Sequence, residues 1–219
     1  MRITLLCTSS DHPVNAWLLR WREKNQKQHD IVLCRNRQEL PGGDVLFLVS
    51  CNQVIDAKTR AKYRHTLVLH ASDLPKGRGW SPHIWALLEG AKSITVSMLE
   101  AADSVDTGAI WSKRSFSVPD HALYDEIHER LFETELALMD EALMLVESGA
   151  EPVPQSTDVT PTYYPKRSPV DSKIDPSQAL ITLFNTIRVM DPHRYPAYFK
   201  LHGHTYAIEI KKVSFDEDD

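Results

Sequence analysis

The stretch Thr66-Leu-Val-Leu-His70-Ala-Ser-Asp-Leu-Pro-Lys-Gly-Arg-Gly79-Trp-Ser-Pro82 joins a short aliphatic run to a polar loop and then to a helix start. Thr66–Leu69 has the length and composition of a strand buried on both faces. Ser81-Pro82 precedes Ile84, Leu87 and Leu88 at helical spacing, and Gly90 stands where such a helix would stop. His70 therefore leaves the carboxyl end of a strand, the edge at which open α/β sheets bind their ligands.

The same alternation continues outward. Arg2–Cys7, Ile31–Cys34, Val45–Val49 and Ile94–Leu99 are further aliphatic runs of strand length. Asp11-His12-Pro13 reads as a capped helix start ahead of Val14, Trp17, Leu18 and Trp21, with Asp11 as the cap. A longer helix is expected after Pro119-Asp120, carrying Leu123, Ile127, Leu131, Leu138 and Ala142 on one side and ending at Gly149. His121 and His128 on that helix are expected to face solvent. The pattern predicts an α/β fold with a Rossmann-like, doubly wound, mostly parallel sheet over residues 1–149. Residues 150–219 read as a C-terminal extension packed on the same domain. It comprises a Pro/Ser/Thr-rich linker, a helix capped by Asp175-Pro176, a β-hairpin turning at Gly203, and an acidic tail over 214–219. The hairpin is a candidate contact for a homodimer.

Composition narrows the function classes. The net charge of −5 over 219 residues argues against a nucleic-acid partner, whose phosphates demand a basic face. No apolar stretch approaches the ~20 residues that span a bilayer, so no membrane partner is expected. Residues 1–7 are too short for a signal peptide, and the expected localisation is cytoplasmic. Cys7, Cys34 and Cys51 are odd in number and lie in or beside aliphatic runs, as buried reduced thiols do. His202-Gly-His204 has no accompanying Cys or carboxylate cluster, so a hairpin turn explains it better than a metal, and no metal is expected. The absence of G-x-G-x-x-G after the first strand argues against a nicotinamide cofactor.

Two segments carry candidate chemistry: the loop that begins at His70, and Val105-Asp106-Thr107-Gly108 after the fifth run. A histidine can donate to an oxyanion or relay a proton, and a neighbouring carboxylate can orient it and accept a proton. Neither segment is diagnostic alone. A lone His after a strand is ordinarily structural, and Asp-Thr-Gly occurs in many turns.

Together, however, His70-Ala-Ser-Asp-Leu-Pro-Lys-Gly-Arg-Gly79 and Val105-Asp106-Thr107-Gly108, with 36 positions from His70 to Asp106, resemble the folate-dependent formyltransferase family. That family's pattern is H-x-S-L-L-P-K-x-R-G followed by L-D-T-G. The resemblance implies 10-formyltetrahydrofolate as co-substrate, His70 and Asp106 as catalytic residues, and a pterin-binding loop from Leu99 to Val105 that includes Asp103. Ser72, Leu74 and Pro75 would shape the same pocket. The family places an Asn two residues before the His, where this chain has Val68. Asn52 is the candidate substitute. The alternatives are a site that works without the amide and a catalytically impaired folate-binding protein. A 10-formyltetrahydrofolate hydrolase, with water in place of the amine, is the other reading.

Within the family, methionyl-tRNA formyltransferases carry a further C-terminal barrel, which is not expected in a chain of this length. Glycinamide ribonucleotide enzymes have a Gly-rich loop where this chain reads Cys7-Thr-Ser-Ser-Asp-His-Pro13. The remaining branch, the sugar N-formyltransferases, is resembled by Tyr163-Tyr164-Pro-Lys-Arg167, Ile174-Asp175 and Asn185-Thr-Ile-Arg188, although the Trp expected after Ile-Asp is replaced by Pro176. The implied acceptor is a nucleotide-linked 4-amino-4,6-dideoxy sugar. Lys76, Arg78, Lys166, Arg167 and Arg188 are then candidates for its diphosphate, Tyr163 and Tyr164 for its base, and His12 and Asn15 for its sugar.

Overall fold

The structure, a computed structural model, describes residues 1–214. Residues 215–219 of the expected acidic tail lie outside the described residues. A six-stranded sheet forms the centre, in the order β2-β1-β3-β4-β6-β7. Strands β1 (Arg2–Leu6), β2 (Asp30–Cys34), β3 (Gly43–Leu48) and β4 (Tyr63–His70) run parallel. Helices α1 (Val14–Asn25) and α2 (Ala57–Arg60) lie in their connections. Leu5, Phe47 and Leu67 are fully buried on one face, and Leu6 and Leu46 on the other. Full burial of such side chains contributes about 1.5–3 kcal/mol each.

The fifth aliphatic run departs from expectation. It forms β6 (Ser93–Glu100), which pairs antiparallel with β4, and β7 (Ile110–Ser117) pairs antiparallel with β6. The two-residue β5 (Arg78–Gly79) and helix α3 (Pro82–Leu88) lie between β4 and β6. The chain re-enters the sheet at the edge it left, with Ser97 opposite His70, and β6 runs back. Glu100 consequently lies beside Leu67, with Ala101 N–H donating to the Thr66 carbonyl (2.7 Å).

Helix α4 (Tyr124–Ser148) covers one face, and Gly149 ends it in the left-handed conformation at φ +73°. Trp21 Nε1 of α1 donates to Asp140 Oδ1 of α4 (2.7 Å), tying the two helices together. His128, expected in solvent, is buried on α4 with its ring 3.9 Å from that of Tyr124. His121 precedes the helix and contacts Lys212. Asp11 does not cap α1. The Val14 N–H donates instead to His12 Nδ1 (3.2 Å), and Asp11 is taken up by Ser9.

Beyond Gly149, Val153 bridges Ile110, and β8 (Tyr163–Tyr164) pairs parallel with β5. Helix α5 (Leu180–Arg188) starts after Ala179, because Asp175 closes its own turn by accepting from the Ser177 N–H (3.0 Å). β9 (Ala197–Leu201) and β10 (His204–Ile208) form the expected hairpin, with His202 and Gly203 both at positive φ.

Candidate active site

The loop after β4 holds His70 between two acceptors. His70 Nε2 lies 2.8 Å from the Gly77 carbonyl, and Nδ1 lies 3.5 Å from Asp106 Oδ2. A carbonyl only accepts, so Nε2 carries the hydrogen and Nδ1 faces the carboxylate. Both side chains are only 7% exposed. Charge inside such a buried site interacts more strongly than in water. Asp106 Oδ2 also accepts from the Gly79 N–H (2.9 Å), so one carboxylate oxygen ties β5 to His70.

Because β6 is antiparallel, Asp106 does not leave a strand end beside His70. It reaches the imidazole through the 101–109 loop, which folds back along the sheet. That fold-back has two signatures. Asp106 sits at φ +56°, a left-handed conformation that costs a non-glycine residue about 1–3 kcal/mol unless its surroundings hold it. Gly108 lies so close to the Glu100 carbonyl that a Cβ there would stand 1.7 Å from the oxygen.

The folate-pocket candidates divide. Leu74 and Pro75 are buried in the base of the His70–Gly79 loop, joined by a cis peptide bond. Lys113 Nζ holds this turn by donating to the Leu74 carbonyl and to Asp73 Oδ1, both at 2.6 Å. The Ser72 hydroxyl is buried with no hydrogen-bond partner among the described residues. Leu99 is a core residue of β6, 1% exposed, so its side chain is not open to a ligand. Val105 is exposed, and Asp103 pairs with Arg60.

Several substrate candidates are occupied by the protein itself. Arg188 is buried and donates from Nη1 to the Ala122 carbonyl (2.9 Å) and from Nε to Asn185 (2.8 Å), so it braces the entry to α4. Arg167 Nη2 contacts the Asp171 carbonyl and Met190 Sδ, and its guanidinium lies over Trp85. Asn15 Nδ2 donates to the Ser9, Ser10 and His12 carbonyls, which makes it the staple of its own loop. Tyr164 stacks on Trp85 and donates to Glu89 Oε2 (2.6 Å). These four act within the fold because each finds a nearby internal partner, which residue type alone does not reveal. Arg78 is bonded to Tyr163 and Gln155, whereas Lys76 and Lys166 are exposed.

His12 and Asn52 stand at the carboxyl edge with His70. His12 Nε2 lies 3.2 Å from Ser50 Oγ, and burial, reinforced by Arg194 and His128, pushes the His12 pKa down to about 4. The Asn52 side-chain oxygen accepts from Thr8 (2.9 Å), and no hydrogen bond among the described residues joins Asn52 to His70 or Asp106. Val68 packs on the apolar cluster of Leu6, Cys34 and Leu48. The three thiols are free, with Cys7 and Cys34 buried, and burial raises the pKa of all three. No helix among the described residues is long and apolar enough to cross a membrane.

Three residues bearing on the site were not legible as such: Gly77 through its carbonyl, Gln155 and Thr162. Gln155 Nε2 donates to the Asp106 and Gly108 carbonyls, and Thr162 Oγ1 accepts from the Gly77 N–H.

Comparison with known proteins places the chain in a family. A family profile described as formyl transferase matches residues 5–143. A methionyl-tRNA formyltransferase from Streptococcus gordonii is 30% identical over 152 residues, covering 69% of this chain and 49% of that protein. The chain thus spans about half the length of this relative. Among solved structures, HypX from Aquifex aeolicus in complex with tetrahydrofolic acid shares the fold at TM-score 0.79 and 24% identity, over 94% of this chain and 36% of that one. A sugar N-formyltransferase from Shewanella shares it at TM-score 0.74 and 13% identity, over 99% of both chains. The profile covers more than half of the chain and spans both His70 and Asp106, and the chain therefore belongs to the formyl transferase family.

Proposed function

We propose that this chain is an N-formyltransferase, moving a formyl group from 10-formyltetrahydrofolate to the amino group of a nucleotide-linked 4-amino-4,6-dideoxy sugar. The observation that carries the transfer is the buried His70–Asp106 pair, with Nδ1 and Oδ2 3.5 Å apart. The neutral amine attacks the formyl carbon, and Asp106 takes the proton it sheds. His70 relays that proton to the departing folate nitrogen or, once its Nε2–H leaves the Gly77 carbonyl, stabilises the oxyanion of the tetrahedral intermediate. The folate supplies a formyl group on a nitrogen that leaves readily. The 101–109 loop and the Ser72 hydroxyl would hold its ring system. With Val68 apolar, Asn52 is the candidate amide donor, and it would have to turn away from Thr8.

The sugar acceptor is supported by the likeness to the Shewanella sugar N-formyltransferase over 99% of both chains and by the net charge of −5. Lys76 and Lys166, exposed, remain as diphosphate partners, and His12 as a sugar contact. In this reading residues 1–149 are the catalytic unit and 150–219 an extension packed on it. A cytoplasmic setting suits three free thiols. A second reading, an aminoacyl-tRNA acceptor, is favoured by the 30% identity to the Streptococcus gordonii methionyl-tRNA formyltransferase and by a likeness of fold to a methionyl-tRNA formyltransferase from Clostridium thermocellum over 100% of this chain and 95% of that one, at TM-score 0.77.

The test is incubation with 10-formyltetrahydrofolate and a panel of nucleotide-linked 4-amino sugars, methionyl-tRNA and no acceptor, read by tetrahydrofolate release and product mass. A formyl gain on one sugar is expected, and His70→Ala or Asp106→Asn should lower kcat by about 10²–10⁴-fold without unfolding the protein. Gain on the tRNA alone would replace the sugar. Formate release without an acceptor would make the chain a hydrolase, and folate binding without turnover would leave it a binding protein.

A further inference from the structure

The strap that follows α4, residues 150–164, lies outside the residues matched by the family profile, yet it holds both members of the pair. Gln155 Nε2 donates to the Asp106 carbonyl (2.8 Å) and to the Gly108 carbonyl (2.9 Å). Its Oε1 accepts from Arg78 Nη2 (2.6 Å), and Arg78 Nη1 donates to the Tyr163 hydroxyl (3.0 Å). Two carbonyls on one side and a guanidinium on the other allow the Gln155 amide only one orientation. Gln155 therefore grips the turn that carries Asp106, clamping the strained φ of +56° from both ends.

Thr162 does the same for His70. Its hydroxyl accepts from the Gly77 N–H (2.8 Å), and its carbonyl accepts from the Arg78 N–H (2.9 Å). The Gly77–Arg78 peptide that donates to Thr162 through nitrogen is the one whose oxygen accepts from His70 Nε2. The next peptide presents its Gly79 N–H to Asp106 Oδ2. Two consecutive peptide units thus connect the strap to the pair. Glycine is required in this run, since a Cβ at Gly79 would stand 2.3 Å from the Tyr164 carbonyl oxygen.

We propose that Gln155 and Thr162 are positioning residues for the His70–Asp106 pair, so that the strap sets the imidazole tautomer and the carboxylate position from outside the matched family region. The effect on turnover rests on the formyl-transfer reading above, whereas the effect on the imidazole does not. Neither residue needs to touch a substrate, so the expected kinetic signature is a loss of kcat at little changed KM. Misplacement of a catalytic group by about 1 Å costs on the order of 10²-fold.

The experiment uses the full chain labelled with ¹⁵N-histidine, with the His70 ring signals assigned by their loss in His70→Gln. It compares Gln155→Leu, Gln155→Glu, Thr162→Val and Thr162→Ser. Gln155→Leu and Thr162→Val should move the His70 ring nitrogen signals away from the Nε2–H pattern of the parent protein. They should also lower kcat by roughly 10–100-fold, with KM for folate and acceptor within about threefold. Thr162→Ser keeps the acceptor oxygen and should recover the parent spectrum. If Gln155→Leu does not fold, Gln155→Glu is judged by the same criteria, since it keeps the acceptor for Arg78 and loses both donations. Unchanged His70 signals in folded variants, or a kcat within twofold of the parent, would overturn the proposal. If the parent protein transfers no formyl group, the formyl-transfer reading falls, and the spectra alone decide: moved signals keep the positioning role and unmoved signals end it.

Discussion

Replacing Gly108 by alanine tests whether the fold-back of the 101–109 loop places the carboxylate. The added Cβ would stand 1.7 Å from the Glu100 carbonyl oxygen and 2.8 Å from its carbon, and both belong to the backbone of β6. Real Cβ contacts respect about 3.0 Å, so the loop has to retreat by about 1.3 Å. Glu100 is held by β4 on one side and accepts the indole N–H of Trp111 through Oε2 (2.8 Å), so the strand yields less than the loop. Asp106 lies two residues before the clash and is bonded through its own carbonyl to Gln155, so it moves with the loop. A shift of about 1 Å at a catalytic group costs on the order of 10²-fold in rate. Overpacking of this kind costs about 1–3 kcal/mol in stability, which for a chain of this size lowers Tm by roughly 2–12 °C. The assay is tetrahydrofolate release at saturating acceptor and 25 °C, beside a thermal melt. A Gly108→Ala protein that melts a few degrees low and keeps kcat within about threefold would refute the reasoning.

Arg188→Ala leaves the Ala122 carbonyl without its donor inside the protein, so stability should fall by about 1–3 kcal/mol while KM for the acceptor holds. A raised acceptor KM at unchanged stability would return Arg188 to the binding site. Glu135, buried on α4 with Oε2 unpartnered, has its pKa pushed up by burial to about 8. The folded state then binds more protons than the unfolded state between the ordinary carboxyl range and about pH 8, so this group removes stability as pH rises through that window. Half-buried His12 and buried His128, both held down to about 4, act oppositely but only below the ordinary imidazole value of 6.5. Between pH 6.5 and 8 the Glu135 effect is therefore the one exposed, at no more than about 1.4 kcal/mol per pH unit. Glu135→Gln should flatten the denaturant-melt stability over that window, and an unchanged slope would show the carboxyl to be ionised in the folded protein.

The aliphatic runs, the helix starts and the hairpin turn could be read from the chain because each is set by residues close in sequence. Thr66–Leu69 alternates the two buried faces of a strand, and Ser81-Pro82 presets a helix. Gly203 supplies the positive φ that a two-residue turn needs. His70 and Asp106 were also legible, as members of a spaced pattern. Which charged side chains were free to meet a ligand was not. Arg188, Arg167 and Asn15 look like ligand partners by type, yet each satisfies carbonyls that only the folded chain brings near. His128 lies on a face of α4 that the surrounding packing closes.

The sequence by itself determined that His70 follows a strand, that Asp106 lies in a turn, and that the two belong to one family pattern. Their meeting was decided by tertiary structure. The antiparallel run of β6 carries the start of the 101–109 loop to Leu67 rather than His70. The pair closes only because the loop folds back against Glu100 and is gripped by Gln155, far away in the chain. Local periodicity encodes which way a side chain faces within its own element. Contacts between distant segments depend on strand direction and loop reach, which no local pattern records.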